Sequence, residues 1–174
     1  MNHAETSLCD QYCVFSVGGA EYAVSAASVR EVADLVPIVA VPQSAAVLKG
    51  LCHHRNDFLP VLSLPAVLGE PTQTDFDCQF LLVMDGGDGP WALPISRAFG
   101  LESLEMASTG EAIGDVPRSV VKGTASFRDG VVRVLDPDRL YHDAVDVLCD
   151  VWTNRDLRSV AHESSLPFHS PAHC

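Results

Sequence analysis

Two stretches decide the fold of this chain, because they are two copies of one strand–turn–strand unit: LKGLCHHRNDFLPVL at Leu48–Leu62 and VKGTASFRDGVVRVL at Val121–Leu135. Asn56-Asp57 lies at the turn of the first copy and Asp129-Gly130 at the turn of the second. These residue types tolerate the positive φ that tight hairpin turns require, so the repeat predicts two antiparallel hairpins. Aligned without a gap, the copies share Lys49/Lys122, Gly50/Gly123, Arg55/Arg128, Val61/Val134 and Leu62/Leu135.

A second pair of hairpins precedes these two. Gln11–Val17 (QYCVFSV) and Ala20–Val24 (AEYAV) flank a Gly-Gly turn, while Phe80–Met84 (FLLVM) and Trp91–Ile95 (WALPI) flank the turn DGGDGP. Short apolar runs on either side of a glycine-containing turn are typical of β-hairpins. Each half of the chain therefore contains two predicted hairpins, with an aromatic residue at the matching place in each second strand.

Short helical segments follow the hairpins that close each half. Leu64–Leu68 follows the first, and Pro137–Tyr141 follows the second, with Asp136 as N-cap and a proline at the first helical position. Four or five short strands cannot bury both faces of an open sheet, but they can close into a small barrel. The sequence therefore predicts a mainly β fold of two small barrel lobes that share an apolar surface.

The composition limits the classes of function. Of the 174 residues, 47% are hydrophobic and 20% are charged, which favours a packed core over disorder. The net charge of −12 opposes binding to phosphate backbones and anionic lipid, so no nucleic-acid partner is expected. No run approaches the roughly 20 apolar residues of a membrane-spanning helix, and no insertion into the membrane is expected. The acidic N-terminus and six scattered cysteines, read as reduced thiols, predict a cytoplasmic location.

A helix is predicted after the second half, over Asp143–Val160. Its apolar residues follow the spacing of an amphipathic helix. We expect the helix to pack back on the barrels, with docking on a partner as the alternative. From His162 onward the chain is polar and interrupted by proline, which predicts a mobile tail. The apolar stripe is formed by Val147, Leu148, Val151 and Trp152.

The segment QYCVFSVGGAEYAVSAASVREV resembles the opening of the CheW family, the adaptors that couple bacterial chemoreceptors to a histidine kinase. In that family a strand ending in Phe, a glycine turn, Tyr-Ala and a Val-x-Glu-Val stretch follow one another. Val41-Pro42 and the later LKGLCHHRNDFLPVLSLPAVLG are similar to the family's centre. The resemblance covers roughly Gln11–Tyr141 in the family's order and is more specific in the first half.

The resemblance implies two five-stranded, SH3-like β-barrel lobes with short helices, to which the C-terminal amphipathic helix is added. Residues 1–10 are then an N-terminal extension, 11–141 the CheW-like domain, and 142–174 the C-terminal helix and tail. Within the domain the lobes fall roughly at 11–70 and 78–141, with swapped segments as one way of completing the first.

The resemblance also implies a non-catalytic adaptor in chemotaxis or related motility signalling. One barrel face would dock on the regulatory domain of a CheA-type histidine kinase. The cytoplasmic tip of a methyl-accepting chemoreceptor would lie along the groove between the barrels. Receptor arrays would hold such a cytoplasmic protein at the inner face of the membrane.

Five positions match the family's partner-binding motifs: Val29, Glu31, Lys49, Gly50 and Arg55. Arg55 ends a strand beside a tight turn, where its guanidinium can reach a partner or close a hydrogen bond on its own turn. Gly50 allows either close backbone approach by a partner or a local bulge. Glu31 and Lys49 have simple solvation as their alternative.

Three positions depart from the family pattern. Asn56 follows Arg55 where Arg-Gly is common, Ser63 stands where an acid is frequent, and Ser96 lies in a segment where an Asp is common. The family's partner contacts at these positions are therefore not carried over to this chain. Such departures are typical of a specialised or auxiliary member of the family.

The chain has no G-x-S-x-G, H-E-x-x-H or P-loop motif, and no catalytic residue or cofactor is expected. Cys52-His53-His54 is the strongest metal candidate, but alternation along a strand lets only Cys52 and His54 share an ion, so no metal site is expected. Two alternatives to the adaptor stay open. One is a nucleic-acid-binding small barrel, and the other is a thiol or metal enzyme using Cys52 and His54.

Overall fold

The computed structural model describes residues 11–71, 77–109 and 120–163, without the side chains of 108, 109 and 155–163. The predicted N-terminal extension 1–10 and the tail from 164 onward lie outside these residues. In the described part the chain forms twelve strands and two α-helices, and a single 3-10 turn at Ala26–Ser28. In chain order they are β1 (Gln11–Val17), β2 (Ala20–Ser25), β3 (Val29–Asp34), β4 (Ile38–Val39), β5 (Leu48–His54), β6 (Asp57–Leu62), α1 (Leu64–Val67), β7 (Phe80–Gly86), β8 (Gly89–Ile95), β9 (Arg97–Ser103), β10 (Met106–Thr109), β11 (Val121–Phe127), β12 (Gly130–Leu135) and α2 (Pro137–Glu163).

The strands form two sheets, which we call lobe A and lobe B. Lobe A has the strand order β10-β11-β12-β2-β1-β9, and lobe B has the order β3-β7-β8-β6-β5-β4. The mainly β prediction with two small lobes is confirmed. Each sheet contains six strands rather than five, with the two-residue β4 at the edge of lobe B.

Each lobe combines strands from both halves of the sequence. The expectation was two largely contiguous lobes, with swapped segments only as one way of completing the first lobe. The β1–β2 hairpin lies in the sheet of β9–β12, and β7–β8 lies among β3–β6. Parallel pairs make the joins, with Val134 opposite Ala23 and Val61 opposite Ala92. Consecutive residues of β1 and β7 are buried, because one face of each strand lies in the apolar core shared by the lobes and the other face lies in a smaller cluster within its own lobe.

A shared core lies between the lobes. Phe15 and Tyr22 of lobe A are buried in the same cluster as Leu82 and Trp91 of lobe B. Smaller clusters fill each lobe separately, around Val14 and Ala125 in lobe A and around Cys52 and Val61 in lobe B. Because the largest cluster contains both lobes, neither sheet can bury its own apolar surface alone.

A polar cluster lies at the boundary between the lobes, which we call the seam. It joins Arg133 and Tyr22 of lobe A to Glu70, which follows β6 and α1. The Arg133 guanidinium lies 2.7 Å from a Glu70 carboxylate oxygen and donates to the Tyr22 hydroxyl at 2.8 Å. The same guanidinium lies 4.7 Å from the centroid of the Tyr22 ring. Burial of the phenol is the main reason that the pKa of Tyr22 is raised to about 12.

The second helix starts where the sequence indicated and continues without a break past the predicted boundary at 141. Asp136 caps it, because its Oδ1 accepts from the backbone N–H groups of Asp138 and Arg139, each at 3.2 Å. The predicted stripe is only partly right: Val147 and Trp152 are exposed. The buried positions start about two turns earlier, because the helix continues from Asp136 through the segment that the sequence split in two. They are Leu140, Ala144 and Leu148, all in the shared core.

Candidate partner-binding surfaces on lobe B

The β5–β6 hairpin separates a polar surface from an apolar one. Along β5 the side chains alternate, with Cys52 buried and Leu51 and His53 on the outer face. His54 points to the inner side with Cys52, as predicted, and is half-buried at the end of the strand. Adjacent residues of this strand therefore serve different surfaces.

Glu31 is the centre of the polar surface. Its Oε1 lies 3.1 Å from His54 Nε2, and its Oε2 accepts from Arg55 Nη2 at 2.5 Å. The carboxylate is 23% exposed, whereas the Arg55 side chain is 74% exposed. One carboxylate thus links β3 to the tip of the β5–β6 hairpin, and most of the guanidinium still faces solvent.

Hydrogen bonding lowers the pKa of the Glu31 carboxyl and so favours its charged form. The hydrogen bond with His54 and then the pairing with Arg55 hold the pKa of Glu31 below its usual range. Arg30 and Asp85 form a further ion pair at 2.8 Å on the same side. Together with Asp57, Leu59 and Val83, the residues Arg30, Glu31, His54 and Arg55 line a depression of about 260 Å³.

Arg55 has a left-handed backbone, with φ at 55° in the tight turn. Such a φ is uncommon for a residue with a Cβ, and here the turn of the hairpin imposes it. The sequence left two roles for Arg55, contact with a partner or a bond on its own turn. Within this chain the guanidinium instead pairs with Glu31 of another strand.

Gly50 is required by the packing of the chain itself. A Cβ at this position would lie 2.3 Å from the carbonyl oxygen of Val39, and its φ is 153°. The strand pairing shifts by one residue between Leu48 and Gly50, which is a β-bulge. The close approach that the sequence indicated is therefore made by the neighbouring β4.

The five predicted positions do not form one cluster. Glu31 and Arg55 meet, but Lys49 lies on the other side of the hairpin in a depression that also contains Cys78. Burial raises the pKa of the Cys78 thiol, and the positive charge of Lys49 opposes that shift. Val29 is partly buried and packs against the shared core.

An apolar groove lies on the outer face of the same hairpin, and sequence reasoning did not locate it. Its volume is about 640 Å³. Phe58 is 75% exposed and Val39 is 70% exposed, and the Phe58 ring lies 5.1 Å from the ring of His53. The outward alternation of Leu51, His53 and Phe58 was the available signal. The groove is lined by Val36, Pro37, Val39, Ala40, Val41, Pro42, Leu51, His53 and Phe58.

The described residues also bear on three other features, a reactive thiol, a metal site and a membrane-spanning helix. Burial raises the pKa of Cys52, which keeps this thiol protonated and unreactive at neutral pH. Over residues 11–71, 77–109 and 120–163, no group of three or more His, Cys, Asp or Glu side chains is arranged to hold a metal ion. In the same residues no helix has the length and apolar character to cross a membrane.

Two small β lobes that exchange hairpins are the architecture of a CheW-like domain. The family model of the CheW-like domain matches residues 11–145, and the chain belongs to this family.

Individual relatives are more distant. The Probable chemotaxis protein CheW of Rhizobium etli is 38% identical over 55 residues, which are 32% of this chain and 36% of that protein. This chain therefore aligns with just over a third of that relative's length. The scaffolding protein TtCheW of Thermoanaerobacter tengcongensis has a similar structure, with a TM-score of 0.68 at 17% identity. The match covers 81% of this chain and 93% of that one, and at this identity it shows the fold alone.

Proposed function

We propose that this protein is a non-catalytic signalling adaptor that joins a CheA-type histidine kinase to chemoreceptor tips. The observation that carries the proposal is the exposed apolar groove on the outer face of the β5–β6 hairpin. Membership of the CheW-like family supports an adaptor, and so does the scaffolding role that the name of the structural relative states.

The groove has the chemistry of a protein interface. Phe58 and Val39 keep most of their surface in water, although the chain has ample apolar core to bury such residues. An aromatic side chain in the middle of an apolar surface is the usual anchor of a protein–protein contact. Contiguous exposed apolar residues of this kind mark an interaction site. The regulatory domain of the kinase is the proposed occupant.

The five motif residues divide into contacts and supports. Lys49 and Arg55 are exposed on either side of the hairpin and are proposed to contact the partner. Glu31 orients Arg55, and Gly50 lets β4 pack against β5 so that Val39 reaches the groove. Val29 anchors the start of β3 in the shared core. The receptor tip is proposed to lie between the lobes, on the analogy of the family.

The test measures binding of the purified full chain to the regulatory domain of the CheA-type kinase from the same organism. Phe58→Ser is the main variant. Val131→Ser is the matched control, because Val131 occupies the aligned place in the β11–β12 hairpin and is 65% exposed. We expect Phe58→Ser to raise the Kd about tenfold or more and Val131→Ser to change it by less than about twofold.

If both variants changed the Kd equally, the groove would not be part of the interface with the kinase. Absence of binding by the wild-type chain would overturn the kinase as partner. An Arg55→Glu variant then tests the polar surface, with folding checked by circular dichroism. We expect it to weaken binding and to reduce the dependence of the Kd on salt.

A further inference from the structure

Two arginines of lobe A, Arg97 and Arg128, both lie over the ring of Phe99, whereas the groove is on lobe B. Arg97 begins β9, and its guanidinium carbon lies 5.8 Å from the centroid of Phe99. Arg128, in the β11–β12 turn, lies 4.8 Å from the same centroid and 4.9 Å from that of Phe127. The two rings are themselves 5.6 Å apart. We call these four residues the arginine patch.

Arg97 and Arg128 differ from the other arginines whose side chains the structure describes. Arg30, Arg55, Arg133 and Arg139 each have a carboxylate oxygen within 4.0 Å. Among the side chains that the structure describes, none places a carboxylate that close to Arg97 or Arg128. Within the described part of a chain that has 23 acidic residues against 11 lysines and arginines, these two arginines stand apart because no described carboxylate lies within 4.0 Å of either.

Stacking on a ring leaves the hydrogen-bonding edge of a guanidinium free. The cation–ring contact uses the flat face, whereas all five N–H donors lie in the plane and point outward. The rings also hold the guanidinium planes in place, which lowers the entropy lost when a ligand binds. These features are those of a preorganised carboxylate site.

We propose that the arginine patch binds an acidic segment of a partner protein through paired carboxylates. This inference does not depend on the adaptor proposal or on lobe B. A short acidic segment feels mainly the local cations, because the remaining negative charge of the chain is screened beyond about 8 Å at physiological salt.

A nucleic acid fits the patch less well. Single-stranded nucleic acids bind by stacking bases on exposed rings along a groove of many cations. Here guanidinium groups already lie over Phe99 and Phe127, and the net charge of −12 repels a long polyanion.

The experiment is an NMR titration of the isotope-labelled full chain with N-acetyl-hexaglutamate amide at neutral pH and about 150 mM salt, where the negative charge of the rest of the chain is screened beyond about 8 Å. We expect saturable shifts at the backbone amides of Arg97, Phe99, Phe127 and Arg128. The double variant R97Q/R128Q should weaken binding about tenfold or more. R139Q is the control, because Arg139 is also exposed but has Asp136 as its partner.

Each outcome decides the proposal. Shifts at the patch that are lost in R97Q/R128Q and kept in R139Q support it. Absence of saturable shifts, or shifts that persist in the double variant, would overturn it. A parallel titration with an oligothymidylate tests the competing ligand, and tighter binding of that probe at the same amides would also overturn it.

Discussion

The β5–β6 and β11–β12 hairpins share a turn conformation and a register shift but have different surfaces. Both have a β-bulge at the Lys-Gly step, and both place an arginine in left-handed conformation at the turn, with φ of 55° at Arg55 and 52° at Arg128. Yet Arg55 forms an ion pair with Glu31, whereas Arg128 lies over two phenylalanine rings.

Further pairs of aligned positions diverge in the same way. The first hairpin has Pro60 where the second has Arg133, which binds Glu70 at the seam. The first exposes Phe58 and the second the smaller Val131. The requirements of a tight hairpin are met identically in both copies, while the residues free of those requirements have acquired separate roles. This divergence gives lobe B its groove and lobe A its arginine patch.

The largest expected effect comes from Gly50→Ala in the first hairpin. A Cβ would lie 2.3 Å from a backbone oxygen and 2.8 Å from Ile38 Cγ2, and neither atom can move without displacing β4. We expect a loss of about 3 kcal/mol or more in the free energy of unfolding, since clash and unfavourable φ add. Urea denaturation measures it.

The second hairpin supplies the control for this substitution. At Gly130 a new Cβ would meet only the carbonyl oxygen of Phe127, at 3.8 Å, which is an ordinary contact. Gly130→Ala should therefore change stability by less than about 1 kcal/mol. Comparable losses in both variants would show that the close approach of β4 is not what makes Gly50 necessary.

A smaller effect is expected at the seam, where only the second hairpin contributes an arginine. The pKa of Tyr22 is raised from 10 to about 12, so the folded chain holds the phenol proton more tightly than the unfolded chain does. This contribution is complete below about pH 10 and is lost as the pH rises towards 12. Two pKa units correspond to about 2.7 kcal/mol.

Tyr22→Phe isolates this contribution. Between pH 9 and 12 the wild type should lose up to about 2.7 kcal/mol relative to the variant. Denaturation curves of both proteins across this range measure the difference, and other titrating groups cancel in it. A constant difference between the two proteins would show that the phenol titrates normally in the folded chain.

The smallest effect belongs to the first hairpin's ion pair. The folded-state pKa of Glu31 is lowered, so its contribution to stability is present above about pH 4.5 and is lost as the pH falls through the folded-state value. Glu31→Gln cannot titrate, so its stability should approach that of the wild type in acid. Because the hydrogen bond with His54 is the larger cause, His54→Leu should reduce the pH dependence more than Arg55→Gln. Identical acid dependence in wild type and Glu31→Gln would contradict this account.

Local signals predicted the strands and turns well. Asp129-Gly130 and the glycines at 18 and 19 mark hairpin turns by their own conformational preferences, and the structure has hairpins at both places. The capping role of Asp136 was also correct, because a cap depends on residues only two or three positions away.

The exchange of hairpins between lobes was the main feature that local signals could not supply. The parallel contacts of Val61 with Ala92 and of Val134 with Ala23 join distant segments and leave no pattern within either one. The partners of Arg55 were missed for the same reason, since Glu31 lies on another strand. Likewise the buried face of α2 was predicted too close to the C-terminus, because the sequence of the helix does not show which of its turns lie against the lobes.

The exchange also imposes an order on biosynthesis. Among the strands that the structure describes, β1 and β2 are made before the others, yet their neighbours in lobe A are β9 and β12, and β12 ends at Leu135. Lobe B is complete once Ile95 has been made. β1 and β2 therefore wait for both of their neighbours until β12 has been made, and their open edges need protection from other nascent chains until then.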